Sequence, residues 1–138
     1  MEFVKIKSDN LKYLKDFIEV IGSSSHSFRY YNSRDFLVIE DHIITLLLYD
    51  NEFVGYGHLD KEDDKVWLGI CVKEGCFGKG YGKKIMKKLI DSYGGDIVLA
   101  VDSENFGAIK LYKLFDFTEI NKDDKMIYME RKDNDNSN

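Results

Sequence analysis

Residues 66–93 read VWLGICVKEGCFGKGYGKKIMKKLIDSY, and the order of chemistry along them decides the fold. Val66 to Val72 is an apolar run with the length of a buried strand, Gly75 to Gly82 is a glycine-rich turn, and a lysine-studded helix opens straight out of that turn. Glycines let backbone N–H groups approach an anion without a Cβ in the way. The first turn of a helix adds unpaired donors at the positive end of its dipole. Lys79, Lys83, Lys84, Lys87 and Lys88 bring further positive charge. Strand, glycine turn and helix start in this order predict a site for a phosphorylated ligand.

Two common phosphate loops do not fit. Five residues after Gly75 come Gly80 and then Tyr81, where a P-loop needs lysine. The dinucleotide pattern G-x-G-x-x-G fails because Gly78 and Gly80 are followed by Lys83, and Gly80 and Gly82 by Ile85. Val72 to Lys83, with Gly78-Lys79-Gly80-Tyr81-Gly82 as its core, resembles instead the acyl-CoA loop of the GNAT superfamily of N-acetyltransferases. That family's pattern is Arg or Gln, two residues, Gly, one residue, then Gly or Ala. Gly80 and Gly82 match it, whereas Phe77 stands where Arg or Gln is expected. The substitution removes a side-chain donor near the pyrophosphate and leaves the backbone donors of residues 78–83. A tight strand-to-helix turn without a ligand is the other reading of the same glycines.

The chain has 138 residues, 43% of them hydrophobic and 14% aromatic, enough for one well-buried core. A net charge of −5 argues against nucleic acid as a partner, because affinity for phosphate backbones is built from net positive surface. The anion site is local: residues 73–88 hold six lysines and one acid, Glu74. Cys71 and Cys76 lie without histidines at zinc spacing, so no metal site is expected, and free thiols in a reducing cytoplasm are. No apolar stretch approaches the roughly 18 residues of a membrane span.

Outward from the central stretch, Phe3 to Lys7 alternates as a short strand, and Ser8 precedes an amphipathic helix carrying Leu11, Leu14, Phe17, Ile18 and Ile21 up to Gly22. Phe28 to Arg34 follows a serine-rich loop and reads as a second, short helix. Ile43 to Tyr49 and Phe53 to Leu59 form a hairpin about Asp50-Asn51-Glu52, and Asp60 to Lys65 connects to the Val66 strand. Beyond the Lys79–Tyr93 helix, stopped by Gly94-Gly95, Ile97 to Val101 is a strand expected to pair in parallel with Val66 to Val72. Asn105 to Phe115 is a helix, Lys125 to Glu130 a last strand, and Asp133 to Asn138 a polar tail expected to be disordered. The result is one α/β (α+β) domain over residues 1–132. Its mixed central sheet has about six strands in the order β-α-α-β-β-β-α-β-α-β, the order of the GNAT fold.

The resemblance implies acetyl transfer from acetyl-CoA to a primary amine. Its coenzyme A site would comprise Ile70, Cys71 and Val72 at the strand end, then Phe77, Gly78, Lys79, Gly80, Tyr81, Gly82 and Lys83. Residues 105–112, NFGAIKLY, resemble the family's second motif N-x-x-A-x-x-L-Y, though Asp116-Phe117 replaces the Gly-Phe that follows it. Asn105 would touch the CoA arm, and Tyr112 would be general acid to the departing sulfur; the alternative for Tyr112 is a core aromatic beside Leu111 and Phe115. The glutamate that some members of the resembled family carry near the start of the central strand is missing, since Val66 and Trp67 occupy its region. His58 is the candidate base, in Gly55-Tyr56-Gly57-His58, where the glycines are expected to leave room for a ligand; a water chain to Asp60 or Glu62 is the alternative. Two of the three arginines, Arg29 and Arg34, stand together with Phe28, Tyr30 and Tyr31. Phe28, Arg29, Tyr31 and Arg34 are therefore the candidate acceptor site, suited to an anionic amine such as a nucleotide-linked amino sugar, with amino acids or polyamines as other choices. Surface ion pairs with Glu40 or Asp41 are the competing role for the arginines. The expected partner is a small-molecule amine, with neither nucleic acid nor membrane, and the chain acts as a monomer or homodimer. A CoA-binding module without turnover is the second functional reading.

Overall fold

The computed structural model describes residues 1–26 and 28–133. Its elements run β1 (Glu2–Lys5), α1 (Leu11–Val20), β2 (His42–Tyr49), β3 (Phe53–Glu62), β4 (Lys65–Val72), α2 (Tyr81–Asp91), β5 (Ile97–Asp102), α3 (Phe106–Leu114), β6 (Thr118–Lys122) and β7 (Met126–Arg131). They form one seven-stranded sheet in the order β1-β2-β3-β4-β5-β7-β6. Every neighbouring pair is antiparallel except β4 and β5, the parallel pair expected of two strands with a helix between them.

The β2–β3–β4 meander is held by tight turns. Asn51 has φ 66°, and Asp63 and Asp64 have φ 54° and 62°, the doubly left-handed geometry of a two-residue hairpin. That second turn is tighter than the sequence suggested: Asp60 remains in β3, opposite Trp67 of β4.

Hydrophobic side chains bury both faces of the sheet. Against one face, α2 and α3 pack Ile85, Met86, Leu89 and Tyr112 onto Leu46, Leu48, Leu59 and Leu68. Against the other, α1 places Leu14 and Phe17 beside Leu47, Tyr56 and Cys71. Fully burying an aliphatic side chain contributes about 1.5–3 kcal/mol, so Ile85, Met86 and Leu89 suffice to pin α2 against the sheet.

Four expectations are revised. The second helix is absent: 3₁₀ turns at Gly22–His26, Tyr30–Asn32 and Phe36–Asp41 occupy that region. Ser8 lies inside a 3₁₀ turn, and Asn10 is the residue that precedes α1. A seventh strand, β6, forms on the outer edge, paired with β7 and exposed throughout. Asp133, assigned to the tail, donates its backbone N–H to Asp96 Oδ1 at 2.7 Å; residues 134–138 lie outside the described residues.

Candidate active site

The parallel pair sets the site. β4 is paired with β3 from Lys65 to Val72, yet its register with β5 is a single pair, Trp67 with Val98. Beyond that point the two strands part, and their facing edges carry backbone groups that no neighbouring strand pairs. A cleft of about 1220 Å³ opens there and runs from the glycine loop, past α3, to the segment before β2.

At the loop end, Gly75, Gly78 and Gly80 have φ of 88°, 77° and 84°, a region that penalises any residue with a Cβ. A Cβ on Gly78 or Gly80 would meet nothing within 4 Å, so the loop's outer side is open space. Gly80 is the N-cap of α2 and supplies no side-chain acceptor, leaving the first-turn N–H groups available to an anion. Tyr81 donates to Asp50 Oδ2 at 2.6 Å, which ties the helix start to the β2–β3 turn and pushes the phenol up to about 12. Lys83 lines the cleft, whereas Lys79 is exposed and does not. Phe77 is 59% exposed at the loop's tip.

On α3, Asn105 is the N-cap: its Oδ1 accepts from the Ala108 N–H at 3.2 Å. Two turns along the same helix, Tyr112 is 7% exposed, with its ring 6.0 Å from that of Phe117. Its hydroxyl makes no hydrogen bond among the described residues, and it lines the cleft. Burial first, and the nearby Cys71 second, raise its pKa, so the phenol keeps its proton. Burial likewise pushes the Cys71 thiol up to about 12, and both cysteines are free.

The far end is built from side chains in two hydrogen-bonded chains. In the first, Tyr30 O–H donates to Asp60 Oδ2 at 2.7 Å and sits 2.8 Å from His42 Nε2; His42 Nδ1 lies 2.6 Å from Thr45 Oγ1. A carboxylate only accepts and a phenol has one proton, so His42 Nε2–H must donate to Tyr30. The other imidazole nitrogen then accepts from Thr45 when the ring is neutral. Burial favours that neutral form by lowering the His42 pKa. In the second chain, Tyr31 and Tyr56 hydroxyls meet at 2.5 Å and Tyr56 reaches His58 Nδ1 at 2.6 Å. His58 is 2% exposed and lines the cleft, and its Nε2 makes no hydrogen bond among the described residues. Burial, then His42 and Arg34, depress its pKa well below the usual imidazole value, so the ring is neutral at pH 7.

The room for the His58 ring comes from Gly69 across the strand pair, where a Cβ would lie 2.4 Å from His58 Cε1. This corrects the expectation for Gly55 and Gly57. Both face α2, and the space above them is filled by Ile85 and Leu89, so they leave no room for a ligand. Alternation along β3 puts His58 and Asp60 on the opposite face from those glycines.

Neither arginine pairs with Glu40 or Asp41. Arg29 Nη2 bonds Asp102 Oδ1 at 2.6 Å, and its Nη1 bonds the His26 carbonyl at 3.1 Å. Arg34 lies 4.2 Å over the Tyr30 ring, donates to the Tyr30 carbonyl at 2.8 Å and approaches Glu62 at 3.9 Å. Both line the cleft and keep guanidinium N–H donors that these partners do not use.

Of the residues assigned from the sequence to catalysis, coenzyme A binding or acceptor binding, Lys79 and Tyr31 fail to line this cleft and the others line it. Tyr31 stands behind it, stacked on Phe36 and bonded to Tyr56. The sequence reading left out Tyr30 and Trp67 as lining residues and gave Asp60 only as the end of a water chain. The alternation 56, 58, 60 along β3 was the available signal for Asp60. Tyr30 had none, because its position depends on a 3₁₀ turn. Among the described residues, no three His, Cys, Asp or Glu side chains converge to hold a metal, and no helix is long and apolar enough to cross a membrane.

A strand pair that parts beside a glycine loop and a helix start without a side-chain cap makes an anion-binding cleft, and comparison with known proteins says which class of protein carries it. The Acetyltransferase (GNAT) family model matches residues 11–117, so the chain belongs to the GNAT family and is an acetyltransferase that uses acetyl-CoA. Solved structures share the fold. The Salmonella typhimurium protein yncA, determined with its cofactor acetyl-CoA, superposes with a TM-score of 0.76 at 15% identity, covering 99% of this chain and 96% of that one. The ribosomal-protein-S18-alanine N-acetyltransferase of Escherichia coli gives 0.72 at 17% identity, covering 96% and 93%. The ribosomal-protein-S5-alanine acetyltransferase of Vibrio fischeri gives 0.80 at 12%, also covering 96% and 93%. A search of curated protein sequences returns no match.

Proposed function

We propose that this acetyltransferase acts on the primary amine of a small, anionic acceptor, a nucleotide-linked amino sugar before an amino acid or a polyamine. The observation that carries this reading is the presence of Arg29 and Arg34, each with spare N–H donors, at the end of the cleft opposite the glycine loop. A guanidinium fork suits a phosphate or carboxylate, and Phe28, Tyr30 and Trp67 beside it offer flat surfaces to a base or sugar ring.

Acetyl-CoA supplies an acetyl thioester. The backbone N–H groups of residues 78–83 would hold its pyrophosphate, with Lys83 beside them. The freed edge of β4 at Ile70, Cys71 and Val72 would line its pantetheine arm, and the Asn105 amide nitrogen, left over from capping α3, would reach the same arm. His58 acts as general base through Nε2: in the tautomer that does so, Nδ1–H donates to Tyr56, which donates to Tyr31. The neutral amine forms its bond to the carbonyl carbon, the C–S bond breaks, Tyr112 gives its proton to the sulfur, and the surplus proton on the new amide nitrogen returns to the Tyr112 phenolate, leaving a neutral amide and a free thiol. Buried free cysteines suit a reducing cytoplasm, and a monomer or homodimer is the expected assembly.

Phe77, exposed where the family's loop pattern has Arg or Gln, favours a second reading in which the chain binds CoA without turning it over. Both readings predict CoA binding, so thiol release from acetyl-CoA across a panel of amino sugars, amino acids and polyamines, with product mass, separates them. Tyr112→Phe should lower turnover about 10²-fold and leave CoA affinity unchanged, as expected on loss of a general acid. Unchanged turnover would remove Tyr112 from the mechanism.

A further inference from the structure

Asp60 is a carboxylate in an unusual situation. It is 9% exposed, it lines the cleft, and it takes part in no ion pair among the described residues. One oxygen, Oδ2, accepts from Tyr30, while Oδ1 has no hydrogen-bond donor among the described residues. Tyr30 cannot turn away, because its own oxygen is occupied by the His42 N–H and its ring lies under Arg34. The nearly buried charge is thus held rigid on one side and open on the other.

Among the described residues no buried side-chain oxygen lacks a partner, so Oδ1, which meets no protein donor, opens onto the cleft, where a cationic group can reach it. The second open atom on the same face of β3 is His58 Nε2, two residues away. An amine substrate reaches a neutral solution as an ammonium ion with three N–H donors. Two acceptors on one wall, an anionic oxygen and a neutral imidazole nitrogen, match such a group.

We infer that Asp60 Oδ1 is the binding site for the acceptor's ammonium group, which it holds against His58 Nε2 for deprotonation. This rests on the acceptor reading above and deepens it: the acceptor carries a cation for Asp60 and an anion for Arg29 and Arg34. In the step itself an ammonium N–H bond breaks, the Nε2–H bond forms, and the electron pair stays on the amine nitrogen. Asp60 keeps its charge throughout and offsets that of the imidazolium. The carboxylate is a substrate-binding residue and gives up no proton.

The test uses n-butylammonium and n-butanol as probes, titrated into the CoA-saturated full-length protein and followed by the His58 Cε1–H NMR resonance. Butylammonium should bind about tenfold more tightly than butanol, the margin of a charge-assisted hydrogen bond. Asp60→Asn, which preserves shape and an acceptor for Tyr30, should erase the preference. Tyr30→Phe, which leaves both carboxylate oxygens in place, should retain it. Equal binding of the two probes by the wild type, a preference that survives Asp60→Asn, or its loss in Tyr30→Phe would each overturn the inference. With an amine that is turned over, Asp60→Asn should raise its KM about tenfold at constant KM for acetyl-CoA; an unchanged amine KM counts against it. Absence of CoA binding or thiol release would defeat the proposed function instead, and the probe titration on CoA-free protein would still report on Asp60.

Discussion

At one end of the cleft, Gly78, Gly80 and the first turn of α2 present backbone N–H groups over open space. At the other, Tyr30, His42, Tyr56, His58 and Asp60 present side chains joined by hydrogen bonds of 2.6–2.8 Å. The first end recognises through conformation and asks of the sequence only glycines and a helix start. The second recognises through chemistry and needs particular groups in particular protonation states. One consequence is that substitutions should act on different quantities at the two ends.

The largest effect is expected at the side-chain end. His58→Gln should lower kcat by about 10²–10⁴, the usual contribution of a general base, with CoA affinity untouched. A loss of CoA affinity, or a kcat within threefold of wild type, would break the division of labour between the two ends. A smaller effect follows from burial of the same residue. His58 titrates below its unfolded value of about 6.5, so as pH falls under that value the unfolded chain takes up a proton that the native protein excludes. Its contribution to stability is complete above pH 6.5. Below that it is lost at about 1.4 kcal/mol per pH unit until the folded pKa is reached. Urea unfolding at pH 7.0 and 5.5 should show a loss of stability in the wild type to which His58 and His42 both contribute, and a smaller loss in His58→Gln.

The same contrast explains what the sequence disclosed. The glycine loop, the Lys79–Tyr93 helix and the parallel β4–β5 pair are written locally, in glycine spacing and apolar runs, and all three were legible. The far end depends on long-range contacts. The 3₁₀ turns Gly22–His26, Tyr30–Asn32 and Phe36–Asp41 stand where a helix was expected because Phe28, Tyr31 and Phe36 pack on Tyr56 and its neighbours, a pattern without helical period. The face assumed for Gly55 and Gly57 went astray because alternation fixes two faces but does not say which one meets α2. β6 escaped notice because Thr118 to Lys122 is wholly exposed and has no buried face for a period-two pattern to reveal. Asp60, one residue past the expected strand end, was hidden by a two-residue turn at Asp63-Asp64 tighter than the six-residue connection that composition suggested.

The central claim is that the chain grips coenzyme A through its backbone around residues 78–83, independently of the groups that handle the amine. Calorimetric titration of CoA into wild type, Gly80→Ala and His58→Gln tests it most directly. A Cβ at a φ of 84° costs about 1–2 kcal/mol in the loop conformation. Alanine lets the unliganded loop relax away from that conformation, and restoring it on binding should weaken the affinity of Gly80→Ala for CoA about tenfold, while His58→Gln stays within about twofold of wild type. Undiminished binding to Gly80→Ala would contradict the account.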